Sequence, residues 1–288
     1  MAEISVLNYD SFSVHWNRGG SDTRSMAKKI HEKMSRVRYK VAVLSGKGGV
    51  GKSTVSANLA SALAKNYQVG IIDFDFDGPS IPRLLGVKNR KMKLTDHGFN
   101  IIPVENASGI KVISTGFVID DDEAVVWLGS IRERTMEQFL ALIEYGSLDY
   151  LIMDLPPGTS SETFNLLRCL LDISGFIIIT LPAELSQEVC RRAVRLCQDA
   201  GAPILGLIEN MSGIACPTCK KIISTGKTGG EKLAEATGIN FLGRIPLDPH
   251  VSKLSDEGVP FVEKMGESGI AKAFDEIVTK IHGLLNNQ

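Results

Sequence analysis

The stretch from Gly46 to Thr54, Gly-Lys-Gly-Gly-Val-Gly-Lys-Ser-Thr, joins backbone freedom to two ammonium groups and two hydroxyls. Gly46, four further residues and then Gly51-Lys52-Ser53 is the P-loop spacing. Gly46, Gly48, Gly49 and Gly51 let main-chain N–H groups wrap a polyphosphate, with Val50 and Thr54 inside the same cradle. Lys52 reaches the β- and γ-phosphates and Ser53 offers a hydroxyl to Mg²⁺. Three carboxylates alternate in Asp73-Phe-Asp75-Phe-Asp77-Gly-Pro-Ser80, where they can hold Mg²⁺ or orient a water for attack on the γ-phosphate, while Asp73 can also simply end a strand. Phosphoryl transfer asks for such positioning and charge neutralisation more than for covalent chemistry. Cys216-Pro-Thr-Cys219 carries two thiols three positions apart, a chelate for one soft metal. Zinc or a [4Fe–4S] cluster takes four protein ligands, so one chain supplies half of them. A two-fold dimer with this loop on its axis supplies the rest. A redox dithiol or a pair of inert loop cysteines are the alternatives.

These residues need a scaffold, and the apolar pattern describes one. Val41–Leu44, a glycine-rich turn and a helical stretch from Ser53 to Lys65 read as strand, turn and helix. Further strands are predicted at Val69–Asp73, Ile110–Ile113, Tyr150–Asp154, Phe176–Leu181 and Ile204–Ile208, alternating with helical segments near 132–145, 161–172, 186–199 and 229–236. Ile270, Phe274, Ile277, Ile281 and Leu284 mark a final amphipathic helix. Such alternation predicts an α/β, three-layer P-loop fold: a mostly parallel central sheet flanked by helices, with ligands at the carboxyl ends of the strands. Residues 1–38 read as an N-terminal extension whose Met26, Ile30, Met34 and Val37 recur at helical spacing opposite a basic face, and 39–288 as the P-loop domain carrying the cysteine loop. No repeat or long linker divides the chain.

Composition narrows the function classes. The 288 residues are 43% hydrophobic and 23% charged, which excludes a mainly disordered chain. No apolar run approaches the length of a membrane span, and Met1-Ala2-Glu3 opens no secretory signal, so a cytoplasmic protein without membrane attachment is expected. The segment Glu267–Gln288, with two lysines against three acids, is a poor membrane tether. Net charge is −1, so no global field favours nucleic acid, although seven basic residues and one acid lie between Arg24 and Lys40. Five cysteines, an odd number, argue against a disulfide framework, and Cys169, Cys190 and Cys197 fall in helical patterns as small packing residues.

Lys47 makes the loop resemble the deviant Walker A of the MinD/ParA/nitrogenase-iron-protein group. The resemblance implies that Lys47 reaches across a homodimer to the partner's nucleotide, and that Asp75 activates water with Asp77 beside it in switch I. Tyr150-Leu-Ile-Met-Asp154-Leu-Pro-Pro-Gly158-Thr159 resembles Walker B with switch II, which brings Asp154 near Mg²⁺ and Gly158 near the γ-phosphate. Asn210, after strand Ile204–Ile208, matches an asparagine that reads the adenine edge. Together with Glu209-Asn-Met-Ser-Gly213, Cys-Pro-Thr-Cys and Ile245-Pro246-Leu-Asp-Pro249, these motifs make residues 40–285 closely similar to the Mrp/ApbC family of ATP-binding iron–sulfur cluster carriers. That resemblance implies ATP or ADP bound at the P-loop and by Pro246, slow ATP hydrolysis, and a [4Fe–4S] cluster held by Cys216 and Cys219 of each subunit for delivery to apoproteins. A MinD/ParA-like positioning ATPase and a dimer bridged by structural zinc are the competing functions. The chain departs from the family pattern at Trp127-Leu-Gly-Ser130, where Trp-Arg-Gly-Pro is usual, and at Thr159-Ser-Ser161, where Thr-Gly-Asp is usual.

Overall fold

The computed structural model describes residues 23–95, 100–118, 127–158, 160–215, 222–223 and 229–287. The chain runs α1 (Thr23–Met34), β1 (Val37–Ser45), α2 (Lys52–Ala64), β2 (Val69–Asp73), α3 (Ile81–Leu84), β3 (Lys93–Leu94), β4 (Ile101–Ile102), β5 (Val104–Glu105) and β6 (Lys111–Ser114). It continues through α4 (Gly129–Leu142), β7 (Leu148–Asp154), α5 (Ser161–Cys169), β8 (Gly175–Thr180), α6 (Glu184–Asp199), β9 (Ile204–Ala215) and β10 (Ile222–Ile223). Last come α7 (Gly229–Thr237), β11 (Phe241–Leu247), α8 (Pro249–Glu257), α9 (Phe261–Lys264) and α10 (Gly269–Asn286).

The main sheet has the order β10-β9-β8-β1-β7-β2-β6-β5, with β11 on β9. From β6 through β2, β7, β1, β8 and β9 to β11 every neighbouring pair is parallel, and only β5 and β10 run antiparallel to their partners. This is the predicted helix-flanked α/β architecture. Its central strands are continuous buried runs of β-branched and aromatic residues: all of β2 and β8, and β1 from Lys40 onward. Strands covered on both faces have no polar side to alternate with. Because β1 is flanked by β7 and β8, and β2 by β7, the carboxyl ends of β1, β2 and β7 open side by side.

The pattern-based boundaries hold for the central elements and fail at the margins. Val37 leaves the helical period of α1 to start β1, where it pairs with Leu148. Ile30 and Met34 of α1 enter the main core, and Lys33 pairs with Glu144 at 2.7 Å. Strand β9 runs past Ile208 to Ala215, and β11 was not predicted, because Gly243 and Pro246 interrupt its apolar run. Leu285, rather than Leu284, is the fully buried residue at the end of α10. Burial pushes the Cys169 and Cys197 thiols up to about 11 and about 12; Cys190 and Cys197 are buried and the half-buried Cys169 packs against the main core. Among the described residues no helix is long and apolar enough to cross a membrane.

Candidate functional site

Between β1 and α2 the chain must turn sharply and leave its amides unblocked. Gly51 does this at φ 78°, and no side chain caps the first turn of α2, so its orphan N–H groups and helix dipole face the loop. Gly46 serves a different need. A Cβ there would lie 2.6 Å from the Cys190 amide nitrogen, so only glycine lets the loop pass against α6. Gly48 and Gly49 are exposed and Val50 is buried.

Lys52, Ser53 and Ser56 all lie in the first turns of α2 and converge on one acceptor. Asp154, at the end of β7, takes hydrogen bonds from Lys52 Nζ and Ser53 Oγ on Oδ2 and from Ser56 Oγ on Oδ1, each at 2.6 Å. The ion pair is almost dry: the side chains of Lys52 and Asp154 are 6% and 0% exposed. Their mutual charge and the two hydroxyls offset a desolvation cost that neither group could bear alone. The sequence pattern signalled Lys52, Ser53 and Asp154. Ser56, one helical turn further along α2, was missed and could have been found from that i, i+3 and i+4 spacing.

Asp73 shapes the neighbouring loop. Its Oδ1 accepts the Asp75 N–H at 3.1 Å, and its Oδ2 accepts the N–H groups of Ser80 and Ile81 at 2.9 and 3.1 Å. Burial, reinforced by the charge of Asp154, pushes its pKa up to about 8. The half-buried Asp75 is also raised, first by burial, while Lys52 pulls it down and Asp154 pushes it up; it therefore senses both partners of the ion pair. Asp77 points elsewhere. Its carboxylate is 64% exposed and pairs with Arg132 Nη2 at 2.8 Å. Arg132 Nη1 also reaches Glu162 Oε1 at 3.2 Å, and no sequence motif marked either residue. After β7, Gly158 adopts φ 85° and donates its N–H to Ser45 O at 2.8 Å, tying this loop to the end of β1.

Beside the loop lies a cavity of about 320 Å³ lined by Gly51, Thr54, Asn210, Pro246, Phe261 and Phe274 among others. Asn210 Nδ2 donates to Val50 O at 2.8 Å, and Met211 follows at φ 54°, a left-handed conformation that is costly for a non-glycine residue. Glu209, which the sequence marked only as part of the Glu-Asn-Met-Ser-Gly motif, is buried and accepts from Ser212 Oγ and the Gly230 N–H, which joins β9 to the start of α7. The structure thus brings together Gly46–Thr54, Asp75, Asp154 and Gly158 at the strand ends, with Asn210 and Pro246 in the adjoining cavity. Lys47 is half-buried, and among the described residues its ammonium makes no ion pair. Cys216, Cys219 and Thr159 lie outside the described residues.

The family model described as ParA, NUBPL iron-transfer P-loop NTPase, matches residues 36–282. The chain belongs to this family. It is 42% identical over 256 residues to an iron–sulfur cluster carrier protein of Saccharolobus solfataricus, covering 88% of this chain and 86% of the relative. Among solved structures it resembles a nucleotide-binding protein of Archaeoglobus fulgidus in complex with ADP, with a TM-score of 0.70 and 36% identity over 81% of this chain and 91% of that one. The cell division ATPase MinD of Pyrococcus furiosus has the same fold, with a TM-score of 0.64 over 85% of this chain and 99% of that one, but only 23% identity. That last likeness concerns the fold alone. The membership makes this chain a P-loop NTPase of the iron–sulfur carrier type, the family expected from its motifs.

Proposed function

We propose that the chain binds Mg·ATP at the P-loop, hydrolyses it slowly, and as a cytoplasmic homodimer carries a [4Fe–4S] cluster between the Cys216-Cys219 pairs of its two subunits for transfer to apoproteins. The observation that carries the nucleotide half is the convergence of Lys52, Ser53 and Ser56 on Asp154, beside Asp75 and beneath the open end of α2. The adjoining cavity, with Asn210 at its lip, has room for a nucleoside. The cargo half rests on the cysteine pair and on the relatives named as cluster carriers.

The donor set fits a hard divalent cation, because Ser53 Oγ and an Asp154 oxygen lie within 2.6 Å of each other. Ser53 would hold Mg²⁺ directly, with Asp154 and Asp75 around it, and the ion would supply neutralising charge to the phosphates. The amides of Gly48–Ser53 and the Lys52 ammonium bind and orient the triphosphate. Asp75 orients a water whose oxygen bonds to the γ-phosphorus as the bond to the β–γ bridging oxygen breaks, giving ADP and inorganic phosphate. Lys47 supplies its ammonium to the nucleotide of the facing subunit.

Calorimetry and phosphate release test the nucleotide half. Lys52→Ala removes a buried charge and should lose at least about thirtyfold in Mg·ATP affinity. Asp75→Asn should bind ATP normally and hydrolyse it about a hundredfold more slowly. Normal affinity in the first variant, or normal turnover in the second, would contradict these roles.

A further inference from the structure

Arg132 stands where a helix normally disfavours it. It lies in the first turn of α4, a turn that contains no acidic residue, so its positive charge faces the positive end of the helix dipole. Local rules broken without local gain point to a job elsewhere. Each nitrogen of its guanidinium has an acceptor: Nε donates to Trp127 O at 3.0 Å, Nη2 to Asp77 Oδ1 at 2.8 Å and Nη1 to Glu162 Oε1 at 3.2 Å. The Trp127 ring, in turn, stacks on Phe76 at 5.2 Å and 27°.

These contacts join the segment after β2 to the first turn of α5. Asp77 lies two residues beyond Asp75, and Glu162 lies four beyond Gly158. Glu162 is only 4% exposed, so its side of the fork is shielded from solvent and weakly screened. A planar guanidinium can hold two carboxylates and a carbonyl in one fixed geometry, which the point charge of a lysine cannot.

We propose that Arg132 is a positioning residue that ties the Asp75–Asp77 segment to Glu162 in the first turn of α5, so that Asp75 is held at a fixed place beside the bound nucleotide. It acts on turnover and not on nucleotide capture, because the P-loop contacts that hold the triphosphate are made by other residues. This inference rests on the ATPase reading above.

The test separates positioning from folding. Arg132→Gln leaves Glu162 buried without its partner, so the variant loses stability as well as turnover. Combining it with Glu162→Gln removes the orphan charge. The double variant should recover its melting temperature and keep Mg·ATP affinity near wild type, yet remain at least about tenfold low in kcat. Arg132→Lys should retain charge and fold without recovering kcat, since it cannot hold Asp77 and Glu162 together in one geometry. Hydrogen exchange in peptides spanning 75–80 and 156–162 should rise together in all three variants. Turnover that returns with stability in the double variant, or rescue by Arg132→Lys, would overturn the proposal. A wild-type protein that binds no ATP would instead reject the ATPase reading itself, and the proposal with it.

Discussion

Asp154 gathers an ammonium and two hydroxyls around one buried carboxylate, and Asp73, on the neighbouring strand, feels the result. Two acids this deep cannot both ionise freely, and Lys52 compensates Asp154, so Asp73 is the one pushed up to about 8. In the unfolded chain the same group titrates at its ordinary value of 3.8. The folded state therefore holds an extra proton between those values, and the stability owed to Asp73 is full below about pH 4 and lost as pH rises toward 8. Melting temperatures measured from pH 5 to 8 should fall more steeply for the wild type than for Asp73→Asn. Parallel curves would show that Asp73 is ionised throughout. The three alternating aspartates were visible in the sequence as a set, but their different surroundings were not. Asp73 shapes the loop through the nearby amides of Asp75, Ser80 and Ile81, whereas Asp75 feels the Lys52–Asp154 pair and Asp77 pairs with Arg132, partners far off in the chain that the local pattern does not show.

At the scale of elements, the strands that position the site were the most legible. β2 and β8 are buried throughout and β1 and β7 from Lys40 and Tyr150 onward, each with a short apolar run at its centre, and the turns after them hold the chemistry. β11 was illegible because a glycine and a proline break its pattern; it forms because the exposed edge of β9 offers a ladder and α10 covers it. The packing of the P-loop against α6 was equally hidden. Gly46 reads as a phosphate-loop glycine, yet its lack of a side chain is required by the backbone of Val189 and Cys190. Gly46→Ala should therefore destabilise the protein by about 1–3 kcal/mol in urea denaturation, as overpacking does elsewhere. Unchanged stability with lost nucleotide binding would mean that the glycine serves the phosphate alone.

At the scale of the molecule, the sheet brings one nucleotide-binding edge to the surface, with Lys47 beside it and the cysteine loop following the end of β9. The two functions proposed to need a partner subunit would thus share one scaffold. Lys47→Ala should leave the affinity of a single subunit for ATP intact while nucleotide-dependent dimerisation and turnover both fall; sedimentation with and without ATP reads the first and phosphate release the second. Unchanged turnover would exclude action across an interface.

The bridging cluster is the central claim, and stoichiometry measures it most directly. After anaerobic reconstitution, iron and sulfide analysis on the sedimenting dimer should give about two irons and two sulfides per chain, with visible charge-transfer absorbance. Cys216→Ala or Cys219→Ala, by removing two of the four ligands in the assembled site, should abolish loading and loosen the dimer. About half a zinc per chain without sulfide, a loaded monomer, or full loading of either cysteine variant would contradict it.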